Sequence, residues 1–129
     1  MWSVHCWYFA IRANQHFTVA HPTATIIELL NSKNLFIQTG SHTFKEKPGQ
    51  PWVNIKCIYT KNGNFGTPES LENKLCTLLY IQATKTLPDS IHYFRELLTP
   101  IARELNWEFI LECDDEENED VVLYRLNDR

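Results

Sequence analysis

The chain has 129 residues, 43% of them hydrophobic and 22% charged, with a formal net charge of −4 at pH 7. Such a composition excludes a disordered or fibrous protein and fits one domain, residues 1–129, long enough to bury about two thirds of the surface its unfolded form would expose. No apolar run reaches membrane-spanning length, and Met1 to His5 lack a basic n-region, so neither a membrane span nor a secretory signal is expected and the cytoplasm is the expected compartment.

From Trp2 to Arg12 both alternating sets of residues are apolar, which predicts a strand buried on both faces and therefore central. A polar connection, Asn14 to Pro22, follows. Thr25-Ile26-Ile27-Glu28 has the form of a capping box and predicts a short helix running to about Lys33. Leu35 to Thr39 reads as a second strand, which Thr43-Phe44-Lys45 can prolong across a Pro/Gly-rich connection ending at Pro51. Trp52 to Thr60 alternates Val53, Ile55, Cys57 and Tyr59 with Asn54, Lys56 and Thr60, as a half-exposed strand does. Lys61-Asn62-Gly63-Asn64 turns the chain. Thr67-Pro68-Glu69 starts one or two helical turns, and Leu75 to Thr84, rich in Thr, Tyr and Ile, is read as a strand, although a helix also fits it.

Pro88 to Asn106 carries the clearest periodicity. Ile91, Phe94, Leu97, Leu98, Ile101, Ala102 and Leu105 fall on one stripe of a helix, with His92, Arg95, Glu96, Arg103 and Glu104 on the wet side. Pro88 and Asp89 suit its first turn, Asn106 suits its exit, and Pro100 should kink it without ending it. Trp107 to Glu112 and Val121 to Arg125 then read as a hairpin. The expected class is α+β: an antiparallel or mixed sheet of five to six strands with two main helices on one face, in the split β-α-β order of ferredoxin-like domains.

Motifs for chemistry are sparse. Cys6, Cys57, Cys76 and Cys113 are scattered over predicted strands without a C-x-x-C, and are expected to be buried thiols in a reducing compartment. His16 and His21 lie five apart, and with His42 they match no zinc spacing, so no metal is expected. The four glycines form no phosphate loop and there is no G-x-S-x-G, so no cofactor and no enzymatic activity are expected. An RNA-binding sheet is disfavoured by the missing basic-Gly-aromatic strand motif and by the charge balance.

One run stands apart. Between Glu112 and Asp120 seven of nine residues are acidic, which leaves nine acids against twelve Lys and Arg elsewhere, a net of +3. As a calcium loop it fails, because Glu119 replaces the turn glycine and Arg125 stands where a bidentate Glu belongs. It reads either as a solvated hairpin tip or as a docking surface for a basic partner, since a row of carboxylates speeds encounter with lysines and arginines. Nucleic acid is disfavoured there.

A small, motif-free α+β protein with one acidic protrusion resembles, in general character over the whole chain, the immunity proteins of bacterial polymorphic toxins, including those of contact-dependent growth inhibition systems. The resemblance implies a stoichiometric inhibitor that covers the active site of a cognate toxin, often a basic nuclease, with acidic residues answering the toxin's cations. On that reading Asp114, Asp115, Glu116, Glu117, Glu119 and Asp120 lie at or beside the interface. If the exposed sheet face makes the contact instead, Asn54, Lys56 and neighbouring aromatics become the candidates. The alternatives are a small ferredoxin-like ligand-binding or enzymatic domain with a pocket near His16 and His21, and a structural subunit of a larger complex.

Overall fold

In a strand successive side chains point to opposite faces, and the stretch Cys6–Arg12 (β1) uses both faces unequally. Trp7, Phe9 and Ile11 are buried on one side, whereas on the other only Ala10 is buried and Cys6, Tyr8 and Arg12 are partly exposed. The computed structural model describes residues 5–125, so the Trp2 to Val4 part of the expected strand lies outside the described residues. The elements that follow are β2 (His21–Pro22), α1 (Thr23–Ser32), β3 (Phe36–Gln38), β4 (Thr43–Glu46), β5 (Val53–Ile58) and α2 (Pro68–Leu71). After them come β6 (Leu75–Cys76), β7 (Leu78–Thr84), α3 (Ser90–Leu105), β8 (Glu108–Cys113) and β9 (Glu119–Tyr124). No helix among the described residues is long and apolar enough to cross a membrane.

Seven strands form one sheet in the order β3-β4-β5-β7-β1-β8-β9, every neighbour antiparallel, and β2 pairs with β6 in a separate two-stranded ribbon. The sheet thus exceeds the expected five to six strands. The excess comes from Thr43–Glu46, which does not prolong β3 but turns back on it, pairing Phe36 with Glu46 and Gln38 with Phe44. Leu75 to Thr84 is strand, interrupted at Thr77.

The strand β1 lies between β7 and β8, with Phe9 opposite Ile81 on one side and Leu111 on the other. Its Trp7, Phe9 and Ile11 share one core with Ile26 and Leu30 of α1 and with Phe94, Leu98, Ile101, Ala102 and Leu105 of α3, so both long helices cover the same face. Phe9 packs against Phe94 and Phe109 with ring centroids 6.2 and 5.3 Å apart. The indole of Trp7 donates to Ser90 Oγ at 2.8 Å, tying β1 to the start of α3.

The long helix keeps its stripe through Pro100. It begins at Ser90, later than expected, because Asp89 is left-handed at φ 56° and makes no side-chain cap. At the other end Asn106, left-handed at φ 59°, closes the helix: Trp107 N donates to Ala102 O at 2.9 Å and Asn106 N to Arg103 O at 3.2 Å. This pair of bonds is a Schellman ending, and it delivers the fully buried Trp107 directly into β8.

The expected capping box of α1 does not form. The helix begins two residues earlier, at Thr23, whose N–H donates to Lys74 O at 2.8 Å and whose hydroxyl donates to Asn73 O at 2.8 Å. The two residues leading into β6 supply these acceptors, so a tertiary contact outweighs the local signal. In α2 the local signal prevails, since Thr67 Oγ1 accepts from Ser70 N at 3.2 Å.

Of the four cysteines, all free, only Cys57 and Cys76 are buried; Cys6 and Cys113 are partly exposed, against the expectation for all four. The Cys57 thiol is held protonated, because its hydrogen bond to Cys76 and its burial both push its pKa up. It packs within the main core.

Because Phe94 is fully buried against Phe9, Phe94→Ala should lower the unfolding free energy by about 3–5 kcal/mol. Urea denaturation monitored by circular dichroism checks this; a loss under about 1 kcal/mol would mean that α3 does not carry the core.

Candidate functional site

The sheet face turned away from α1 and α3 is only partly covered. Ala10, Ile58, Leu78 and Ile110 form a small second core there, packed by Phe17 of the β1–β2 connection, by Leu71 of α2 and by Tyr80. Tyr80 stacks on Tyr8 at 6.3 Å and meets Phe65 at 5.1 Å. Burial, then the charges of Glu112 and Tyr8, push the Tyr80 hydroxyl up to about 12, so this face presents neutral tyrosine.

At one end of this face lies a charged constellation that sequence reasoning missed. Arg12 and Glu108 stand opposite each other in the β1–β8 register. Arg12 Nε donates to Glu108 Oε2 at 2.9 Å, with side chains only 12% and 11% exposed, and Arg125 Nη2 reaches Glu108 Oε1 at 3.4 Å from an exposed position. One carboxylate therefore answers two guanidinium groups. Both Nη groups of Arg12 are left without a hydrogen bond among the described residues.

The loop after β1 folds over this end. Asn14 organises it: its Oδ1 accepts from His16 N at 2.9 Å, its Nδ2 donates to Thr18 Oγ1 at 2.6 Å, and its carbonyl accepts from Phe17 N at 3.2 Å. An asparagine that bonds the backbone two residues on is a ready-made turn. The turn places Phe17, at φ 55°, over the Arg12 guanidinium at 5.6 Å. Between the loop and β9 opens a cleft of about 550 Å3, with Arg12, Glu108 and Arg125 at one end, Ile110 and Val122 along its floor and Asp120 at the other end.

The signal for this site was present in the sequence. Arg12 ends an otherwise apolar strand, and Glu108 interrupts Trp107 and Phe109. Only the register, however, shows that the two charges face each other.

The acidic run becomes the β8–β9 hairpin, and the structure divides its six candidate residues. Asp114 belongs to the turn itself: its side chain accepts from Asn118 N at 2.8 Å, Glu116 N at 2.9 Å and Asn118 Nδ2 at 3.0 Å. The Asn118 side chain first, then the backbone bonds of Asn118 and Glu116, hold the Asp114 carboxyl below its ordinary value of 3.8. Asp115 pairs with Lys85 at 2.7 Å, and the same ammonium lies 4.2 Å from the centre of the Trp7 ring. Glu116, Glu117, Glu119 and Asp120 are exposed and make no side-chain hydrogen bond or ion pair among the described residues. Glu117 and Asp120 are left-handed, at φ 66° and 51°.

The histidines disperse. His16 is exposed at the cleft, but His21 stacks on Trp107 at 5.2 Å, on the helix-covered side. The cleft lined by His16 does not include His21, which β2 pairs with Cys76 away from the loop. His42 is held by Ser41 Oγ at 2.8 Å and by Asn73 O at 2.9 Å. Among the described residues no three His, Cys, Asp or Glu side chains gather as metal ligands. Asn54 and Lys56 of β5 lie half-buried on the partly covered face.

No protein-family model, no curated protein and no solved structure matches this chain.

Breaking a largely buried ion pair leaves one charge without its partner. Arg12→Gln should therefore lower stability by roughly 3 kcal/mol, and the double replacement R12Q/E108Q should recover most of that loss. Urea midpoints of the three proteins decide it; equal losses in the single and double variants would show that the pair is not coupled.

The Asp114 turn makes a second prediction. A carboxyl whose folded pKa is depressed gives stabilisation that is present above the unfolded value and lost as pH falls through the folded one. The amide resonances of Glu116 and Asn118 should thus hold steady down to about pH 4 and move only below it. A midpoint above the ordinary 3.8 would contradict the hydrogen-bonded turn.

Proposed function

We propose that this protein is a binding protein that neutralises a basic protein partner, in the manner of the immunity proteins that protect bacteria from nuclease-type toxins. Four exposed carboxylates, Glu116, Glu117, Glu119 and Asp120, carry the reading, because they crowd the tip of one hairpin with no partner among the described residues. Charges left unanswered at such density raise the local potential and steer an oppositely charged surface toward the tip. Asp114 and Asp115 take a supporting role: the first shapes the turn and the second anchors it to Lys85. A tip held in one shape loses less freedom on docking than a mobile one.

We further read β8-β1-β7-β5 as a split β-α-β frame of ferredoxin-like type. Its support is that α1 follows β1, α3 follows β7, and β7 lies between β1 and β5. The β3–β4 hairpin and β9 are then additions to the frame, and β9 is the one that carries the acidic tip.

The test is co-expression with the toxin domain encoded beside this gene. The expected result is a stoichiometric complex and restored growth. In that complex E116Q/E117Q/E119Q/D120N should slow association roughly tenfold at low salt and flatten its salt dependence, with dissociation little changed. An unchanged association rate would remove the tip from the mechanism, and the lack of any toxin neighbour or complex would overturn the reading as a whole.

A further inference from the structure

The cleft beside His16 meets the acidic tip only at Asp120, and its chemistry is graded along its length. At one end Arg12 is almost buried, spends only its Nε on Glu108, and leaves both Nη groups free of hydrogen bonds among the described residues. The Phe17 ring lies 5.6 Å from the centre of the guanidinium. A fixed planar fork of N–H donors matches a carboxylate, which can accept two parallel bonds. Arg125, loosely attached to the same Glu108 at 3.4 Å, adds a second cation beside it.

Ile110 and Val122 face each other across β8 and β9 and form the floor, Ile110 buried and Val122 40% exposed. An exposed valine beside a buried isoleucine offers apolar contact that water now covers. At the far rim stands Asp120, whose neighbours Glu119 and Val121 pair with Cys113 and Leu111, about four residues along β8 from Glu108. At roughly 3.4 Å per residue that places the rim about 14 Å from the arginine end. A second negative charge on a ligand would point toward this carboxylate and be repelled by it.

We propose that this cleft binds a small monocarboxylate with an unbranched apolar body, its carboxylate on Arg12 and Arg125 and its chain over Ile110 and Val122. Asp120 disfavours the corresponding dicarboxylate.

The test is a 1H–15N NMR titration of the full chain with sodium hexanoate, adipate and hexylammonium chloride as probes, at constant ionic strength. Hexanoate should give saturable shifts at the amides of residues 12–16, 110 and 122 and at Arg12 Nε–H. Adipate should bind roughly fivefold more weakly or worse, and hexylammonium should leave these signals in place. Because Arg12→Gln strands Glu108 and can unfold the protein, the deciding variant is Val122→Glu, at an exposed position. It should weaken hexanoate at least about fivefold while the spectrum elsewhere stays that of the folded chain. Shifts that do not saturate, an equal response to adipate or hexylammonium, or undiminished binding by V122E would each overturn the proposal. None of these outcomes depends on a toxin partner, so the proposal can fail while the neutralising role stands, and the reverse.

Discussion

The layer formed by Phe9, Phe94 and Phe109 is the contact from which the rest of the structure follows. Phe9 comes from β1, Phe109 from the neighbouring β8 and Phe94 from the long helix, so one aromatic cluster joins three segments. Aromatic side chains bury large areas and interlock in preferred tilts, which makes such a cluster both strong and specific in register. Once Phe9 faces the helix, the pleat sends Ala10 and Arg12 to the opposite face. The site on that face is thus a geometric consequence of the core on this one.

Arg12 and Glu108 illustrate the coupling. They end the apolar parts of their strands and meet because β1 and β8 run antiparallel with Ile11 opposite Phe109. A slip of β8 by one residue would turn Glu108 into the helix layer and leave Arg12 without its partner. The pair therefore acts against wrong registers as well as holding the right one. Arg125 reaches the same carboxylate across the register shift that β8–β9 makes beside Phe109, where a bulge changes the direction of the edge strand.

The hairpin tip shows a division of labour within a single run of acids. Repulsion among seven neighbouring carboxylates opposes any compact turn, and the structure offsets it locally. Asp114 is surrounded by N–H donors, and Asp115 is matched by Lys85, which also rests on the Trp7 ring. With these two committed, Glu116, Glu117, Glu119 and Asp120 are left at the exposed surface. Composition alone treats the run as uniform, whereas hydrogen bonding separates scaffold from surface.

Local pattern was enough to read the α+β class, the long helix with its stripe intact across Pro100, the alternation of β5, the Thr67 cap and the closing hairpin, since each depends on residues within a few positions of one another. What needed the folded chain were features set by distant partners: the start of α1, taken from Thr25 by carbonyls of Asn73 and Lys74; the return of β4 on β3; and the parting of His16 from His21. The Arg12–Glu108 pair belongs to the same group, because its members are 96 residues apart and only strand register brings them face to face. Periodicity records which side of an element is apolar; it holds no record of which element lies opposite, and both the cleft and the division of the acidic run are made from opposites.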